Sequence, residues 1–205
     1  MGSAYSITFI NNTSQPGTVC LYQQNQFQPD PNIMSLAWFT WFVDPNDSVK
    51  FEFTIDYSFF WAESGMLVPG VTVIPGQTVA ADLYNSNSIT LSESSSGSLQ
   101  FGTPQMGPQS GSLYIQCNST VPPNLATVGI GMSGSGTFAV QAQPNYTNIF
   151  TPHPTYWLTF GNYNTGEVLD TYNMNTNTEV SFPANVYAME ATLNANYTFT
   201  VQPVG

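Results

Sequence analysis

The chain has 205 residues, of which one is lysine or arginine, one is histidine and 12 are acidic, so its formal net charge is −11. Proteins that bind nucleic acid or dock on anionic lipid neutralise phosphates with several lysines and arginines, and the composition excludes both classes. Uncharged Ser, Thr, Asn and Gln, 75 of the 205 residues, must therefore supply most of the polar surface.

The sequence shows no membrane or export signal. No stretch approaches the roughly 18 apolar residues of a transmembrane helix, so we expect no transmembrane segment. The first residues, MGSAYSITFINN, lack the basic region and the apolar core of a secretory signal peptide. We therefore expect a cytoplasmic protein, with non-classical export as the alternative.

Alternating apolar and polar residues predict short β-strands along most of the chain. The alternation begins at Tyr5–Phe9, is strict over Val49–Asp56 and recurs over Tyr197–Gln202. The 16 glycines and 15 prolines separate the strand candidates and mark turns. Further strand candidates lie near residues 18–23, 70–74, 78–84, 88–91, 98–101, 112–117, 136–142, 155–160, 179–182 and 186–193.

One segment favours a helix. Ile33–Phe39 follows a Pro-Asn pair that is typical of a helix start, so we expect one short helix there. Many short strands with regular turn signals are typical of a sandwich or a barrel, and no linker divides the chain. We therefore predict an all-β fold: an antiparallel β-sandwich-type single domain over residues 1–205, with few short helices.

An aromatic block is the strongest local feature. Residues 36–61 hold ten of the 29 aromatic side chains, and most of them are expected in the core because of their size. Neighbouring residues of a strand point to opposite faces, however, so the adjacent aromatics cannot all face one core. Those that face away would cover an interface, a second sheet or a platform for sugar stacking. The candidate binding residues are Trp38, Trp41, Phe42, Phe59 and Trp61.

Other motifs have simple structural explanations. Gly129–Gly134 has the spacing of a dinucleotide-binding loop, but a strand follows it instead of a helix, so we interpret it as a close-packed or flexible turn. Cys20 and Cys117 are expected to be buried free thiols, with a disulfide as the alternative if their strands are neighbours. Turns at 44–48 and 162–167 offer oxygens for calcium, although Asx turns explain both. We expect no metal site and no cofactor.

Catalytic constellations are scarce. His153 is the only histidine, and it stands between two prolines without a recognisable nucleophile motif. Asp56 and Glu63 flank an aromatic run, and paired carboxyl groups among aromatics occur in glycoside hydrolases. One strand-face acid and one loop acid explain the same pattern. We therefore predict no catalytic residue and expect that the protein is not an enzyme.

Five longer segments of the sequence resemble one protein family, and together they cover nearly the whole chain. The segments are NIMSLAWF (32–39), DYSFFWAESGMLVPGV (56–71), VGIGMSGSGTFAVQAQPN (128–145), FTPHPTYWLTFGNYNTGEVLD (150–170) and NVYAMEATLNANYTFTV (185–201). The family that they resemble is that of the rhizosphere-expressed protein RhiA of rhizobia and its relatives. The resemblance implies an abundant soluble protein of microbial life near plant roots, under cell-density control. It implies no known biochemical activity and no site residues.

The composition favours self-association as the first functional hypothesis. Edge strands normally carry lysine to prevent pairing with other chains, and this chain has almost none. Asn173, Asn175, Asn177 and Glu179 would form an amide ladder if they lay on a strand, although a solvated loop also explains them. We expect a non-enzymatic, self-associating acidic β-protein of filament, inclusion or surface-coat type, whose partner is itself.

Two alternatives stay open. The first is a carbohydrate-binding, lectin-like module, in which exposed aromatic rings would stack on sugars and make glycans the partner. The second is a membrane-active, toxin-like β-protein that would insert the aromatic segment 36–61.

Overall fold

Seventeen β-strands and no helix make up the described part of the chain, which in the computed structural model is residues 4–24, 32–153 and 155–204. The all-β prediction is therefore confirmed. No helical segment within these ranges is long and apolar enough to cross a lipid bilayer. The strands are β1 (Ala4–Asn11), β2 (Gly17–Gln24), β3 (Met34–Ser35), β4 (Ala37–Val43), β5 (Ser48–Thr54), β6 (Tyr57–Ala62), β7 (Gln77–Ala81), β8 (Ser88–Glu93), β9 (Leu99–Phe101), β10 (Leu113–Cys117), β11 (Thr127–Met132), β12 (Ser135–Gln141), β13 (Tyr146–Phe150), β14 (Thr155–Gly161), β15 (Asn177–Val180), β16 (Ala188–Leu193) and β17 (Phe199–Pro203).

The strands form four sheets that pack as two sandwiches. The first sandwich joins the sheets β17-β16-β1-β5 and β15-β14-β2-β4, and side chains such as Phe9, Leu21 and Leu158 fill the core between them. The second joins β3-β12-β11-β6-β7 and β13-β10-β8-β9 around a core that includes Ile115 and Val128. The chain starts in the first sandwich with β1 and β2, gives β3 to the second and returns to the first with β4 and β5. It then builds the rest of the second sandwich with β6 to β13 and completes the first with β14 to β17.

Most strand pairs are antiparallel, as predicted, and two are parallel. β1 runs parallel to β16, and β8 runs parallel to β10. A period-two pattern is the same for either direction, so the sequence does not distinguish them. Both exceptions join strands that are not consecutive in the chain, which is the usual origin of parallel pairs.

The short helix predicted at Ile33–Phe39 is wrong. Met34–Ser35 pairs with β12, and Ala37–Val43 pairs with β2. Two neighbouring strands offer this segment ladder hydrogen bonds and buried surface on both sides, and this tertiary context overrides a weak helix-start signal. The strand predicted at 70–74 is reduced to an isolated bridge between Thr72 and Glu167. The strands β6, β11 and β13 were not among the candidates.

Adjacent aromatics are buried in two different ways. Phe59 and Phe60 lie on opposite faces of β6, one in the second core and the other in a small cluster beneath Leu67 and Val73. Trp38 and Phe39 instead lie on the same side of β4, because the register with β2 shifts between Leu21 and Tyr22. Their ring centroids are 4.5 Å apart.

The two sandwiches are joined at the turn between β11 and β12. The Trp38 indole Nε1 donates a buried hydrogen bond of 2.8 Å to the carbonyl oxygen of Met132. The Ser135 hydroxyl donates to the carbonyl of Trp38 at 2.9 Å, so the turn and the tryptophan hold each other. The Met132 side chain is fully buried in the first core although β11 belongs to the second sandwich.

Replacing Trp38 by Phe should destabilise the protein by about 2–4 kcal/mol, because the buried Met132 carbonyl loses its partner and a small cavity forms. Trp157→Phe is the matched control: its Nε1 donates to the Thr155 hydroxyl at 3.0 Å in a part-buried position, where water can replace the bond. Urea unfolding measures both. Equal costs for the two substitutions would contradict the role given to Trp38.

The glycine motif is close-packed strand and turn. The Phe60 ring lies against β11 and β12, and a Cβ at Gly129 would lie closer than 3.0 Å to both this ring and the Phe138 carbonyl oxygen. Gly134 occupies the turn with a positive φ of 79°. The predicted close packing is confirmed. Gly129 lies in strand β11, however, and Gly134 is the glycine that lies in the turn.

Gly129→Ala should therefore destabilise the protein by about 3 kcal/mol or more, because neither the backbone carbonyl nor the buried ring can move away. Gly102→Ala is the control, since a Cβ there would meet only the Thr90 carbonyl oxygen at 3.8 Å. The midpoint of urea unfolding reports both changes. A small effect at Gly129 would show that the β11–β12 contact with Phe60 is looser than described.

Candidate functional site

The candidate site lies where the first sandwich is open at one side. β4 is the edge of one sheet and β5 is the edge of the other, and a turn at 44–47 connects them. The turn is fixed to the neighbouring strand: Asn46 N donates to the Asn11 carbonyl at 2.7 Å, and Asn11 N donates to the Asp47 carbonyl at 3.0 Å. The two edges therefore face each other across a groove, one end of which is fixed by this turn.

This groove, the β4–β5 groove, has a volume of about 330 Å³. Aromatic and aliphatic side chains provide its apolar lining, and a single ion pair and two hydroxyls provide its polar lining. Lys50 Nζ lies 2.6 Å from Glu52 Oε1, and the hydroxyls of Thr40 and Thr165 are 2.7 Å apart. The lining residues are Phe39, Thr40, Trp41, Val49, Lys50, Phe51, Glu52 and Thr165.

The ion pair contributes little to stability. The side chains of Lys50 and Glu52 are 54% and 68% exposed, so water screens their attraction. The pair does place the single lysine of the chain at the groove. Any partner therefore meets a locally neutral surface there instead of the net negative charge of the whole protein.

The five predicted binding residues do not form one site. Trp38 and Phe59 are completely buried in the two cores. Trp61 is half-buried, donates from Nε1 to Gln77 Oε1 at 3.0 Å and lies against Gly76. Trp41 and Phe42 are each 61% exposed on β4, and they are the part of the prediction that lies on the surface.

Sequence reasoning missed the other side of the groove. The sequence predicts Val49 and Phe51 on the apolar face of a strand, but no pattern indicates that this strand is an edge. Because the sequence pattern favours a helix at 33–39, it does not predict the pairing of β4 with β2. A strand assignment for 37–43 would have placed Trp41 and Phe42 on opposite faces of one strand.

The hypothesis that Asp56 and Glu63 act as a glycosidase pair is wrong, because their carboxyl groups are too far apart. Asp56 precedes β6 and Glu63 follows it, so a six-residue extended strand separates them. At roughly 3.3 Å per residue the two carboxyl groups are about 20 Å apart. A glycosidase pair needs a separation below about 10 Å, so Asp56 and Glu63 cannot act on one bond.

The turns considered for calcium use their oxygens within the turn. Asp47 Oδ1 accepts from Ser48 N at 2.8 Å, and Glu167 Oε2 accepts from Asn164 N at 3.0 Å. No group of three or more His, Cys, Asp or Glu side chains within residues 4–24, 32–153 and 155–204 could hold a metal ion together. The amide pattern at 173–179 is also mostly loop, because β15 begins only at Asn177.

The two cysteines are free and buried, as the first interpretation predicted. Cys20 lies beneath Leu169 on the outer face of its sheet, whereas Cys117 lies in the second core. Burial raises the pKa of Cys117 to about 11. Burial, with the nearby charge of Glu167, raises the pKa of Cys20 further.

Both thiols should therefore resist alkylation in the native protein at pH about 8, because the reactive thiolate is scarce and shielded. The raised pKa keeps Cys117 protonated below pH about 11. Labelling should accelerate roughly tenfold per pH unit towards that value. Mass spectrometry after iodoacetamide treatment measures labelling, and guanidinium chloride should expose both thiols. Fast native labelling at either position would contradict the burial.

A family model described as RhiA matches residues 2–204 of the chain. The chain is also similar to Protein RhiA of Rhizobium leguminosarum bv. viciae, with 35% identity over 205 residues. The alignment covers 98% of this chain and 87% of that protein. No solved structure matches the chain.

Proposed function

The chain belongs to the RhiA family, and on this premise we propose that it is a non-enzymatic, self-associating protein of microbial life near plant roots. Its first contact is the exposed half of β4, which pairs with the same strand of a second copy. Trp41 and Phe42 are covered in that contact.

The exposed aromatic pair is the observation that carries the proposal. Trp41 and Phe42 are adjacent, each is 61% exposed, and they project from opposite faces of an edge strand. Leaving this much aromatic surface in water costs about 25 cal/mol per Å², and burial against a partner recovers it. Aromatic residues are enriched at contact surfaces relative to the rest of a protein surface.

The free edge of β4 supplies the directional part of the contact. An edge strand presents unpaired backbone N–H and C=O groups. The loop after β14 already covers the start of β4, because Ala37 N donates to the Glu167 carbonyl and Gly166 N donates to the Ala37 carbonyl, both at 2.8 Å. The other half, Phe39–Val43, contains no charged residue and no proline. Its neighbour β5 carries Lys50 and Glu52 and is the better protected edge.

A second copy fits this edge better than a partner of another kind. Two copies of Phe39–Val43 can pair antiparallel about a two-fold axis, so that each strand meets the same residues that it offers. The contact joins two four-stranded sheets into one. It requires no cations, which the chain does not have in sufficient number to hold an anionic partner.

Net charge sets the conditions for association. Each copy carries −11, so two copies repel each other over the Debye length, about 30 Å at 0.01 M salt and about 8 Å at 0.15 M. Salt should therefore favour the assembled form, in contrast to a contact that is held by ion pairs.

Light scattering over a concentration series, at low and at physiological salt, tests the proposal. The wild-type mass should rise from 22.3 kDa towards twice that value or beyond, and more steeply at the higher salt. Phe42→Lys and Trp41→Ser should each return it to the monomer mass, because one adds an edge charge and the other removes an aromatic contact.

Tyr172→Ser is the matched control, because Tyr172 is 98% exposed in a loop and lies outside β4. This variant should assemble like the wild type. A monomer at all concentrations and salt levels would refute self-association by this chain alone. Assembly that survives Phe42→Lys and Trp41→Ser would move the contact away from β4.

A further inference from the structure

Asn148 on β13 has an unsatisfied buried atom. The residue is only 2% exposed, and its Oδ1 has no hydrogen-bond partner within residues 4–24, 32–153 and 155–204. Towards the same described residues its Nδ2 makes two long contacts, 3.5 Å to the Ile115 carbonyl oxygen and 3.7 Å to Cys117 Sγ. A buried polar atom without a partner is unfavourable and is usually paired by another group.

Two other buried asparagines show how the protein treats such groups elsewhere. Asn87 Oδ1 accepts from Gly107 N at 2.7 Å, while its Nδ2 donates to the carbonyls of Gln109 and Ser112 at 2.6 and 2.9 Å. Asn11 is also completely buried and pairs through both ends of its carboxamide. Asn148 therefore departs from the pattern of its own fold.

Asn148 also lines a groove at the open side of the second sandwich. This groove, the β12–β13 groove, has a volume of about 430 Å³, within the range of small-molecule sites. Met34, Leu67 and Val140 give it an apolar wall. Gln143 and the half-exposed Tyr146 join Asn148 on the polar side, and among the described residues that line the groove none is charged.

We propose that the β12–β13 groove binds a neutral pyranose sugar, with one sugar hydroxyl paired to the Asn148 carboxamide. A hydroxyl both donates and accepts, so it satisfies the carboxamide in either orientation of its O and N atoms. The C–H face of the ring packs against Tyr146 and the apolar wall, as sugars pack on aromatic rings. The described lining residues are all uncharged, which favours a neutral ligand over an ionic one.

Binding includes a local adjustment of Asn148. Its Oδ1 is screened from bulk water, although the residue lines the groove. The side chain therefore rotates towards the sugar, and this rotation gives up only the two long contacts of Nδ2. The sugar site is separate from β4 and does not depend on self-association.

Isothermal titration calorimetry with methyl α-glucopyranoside, methyl β-galactopyranoside and N-acetylglucosamine tests the proposal on the full chain. At least one of the three should bind, and Asn148→Leu should weaken that binding roughly tenfold or more, because the apolar side chain cannot pair with the hydroxyl. Tyr146→Ala should weaken it as well through lost stacking. Ile149→Ala is the matched control, since Ile149 neighbours Asn148 on β13 but does not line the groove.

A melting curve separates lost binding from lost folding. Asn148→Leu should melt at the same temperature as the wild type or higher, because it removes an unpaired buried polar atom. Should that variant fail to fold, Tyr146→Ala, at the rim of the groove, decides the question. Binding by none of the three sugars would overturn the proposal. It would also be overturned by full binding in both variants, or by binding that is lost in Trp41→Ser and retained in Asn148→Leu.

Discussion

The hydrogen bond from the Trp38 indole to the Met132 carbonyl is the interaction on which the arrangement of the two sandwiches depends. It is buried, it joins residues 94 positions apart, and it places a turn of the second sandwich against the core of the first. Met132 follows with its side chain into that core, and Tyr57 packs against both cores. These contacts join the sandwich that carries the β4–β5 groove to the one that carries the β12–β13 groove.

In this protein, uncharged polar groups fix turns and join distant segments of the chain, where many proteins use charged groups. Asn11 and Asn87 fix turns from inside the molecule, and Ser135 and Thr40 join segments that are distant in the sequence. Buried amides need every partner in place, because they cannot keep a hydration shell. Asn148 is therefore an exception: its Oδ1 is unpaired among the described residues, whereas the carboxamides of Asn11 and Asn87 are hydrogen-bonded at both ends.

Sequence patterns predicted most strands and left their arrangement open. Val49–Asp56 showed its buried face through strict alternation, and β5 occupies Ser48–Thr54. The Trp38–Phe39 pair could not be placed, because a bulge that depends on the partner strand sets its direction. Of the residues that line the β4–β5 groove, the sequence predicted only Trp41 as a binding residue, since which strand forms an edge is a property of the whole sheet. The β12–β13 groove has no motif, because four separate segments build it.

Because β1 pairs with β16, which lies near the other end of the chain, the first sandwich can be completed only late in synthesis. β1 lies between β5 and β16, so its sheet stays incomplete until residues 188–193 have left the ribosome. The second sandwich has all its strands once Phe150 has emerged. The middle of the chain can therefore pack first, while β1 and β2 each keep one unpaired edge until β16 and β14 have been made. Until then, these two edges are open to pairing with other chains.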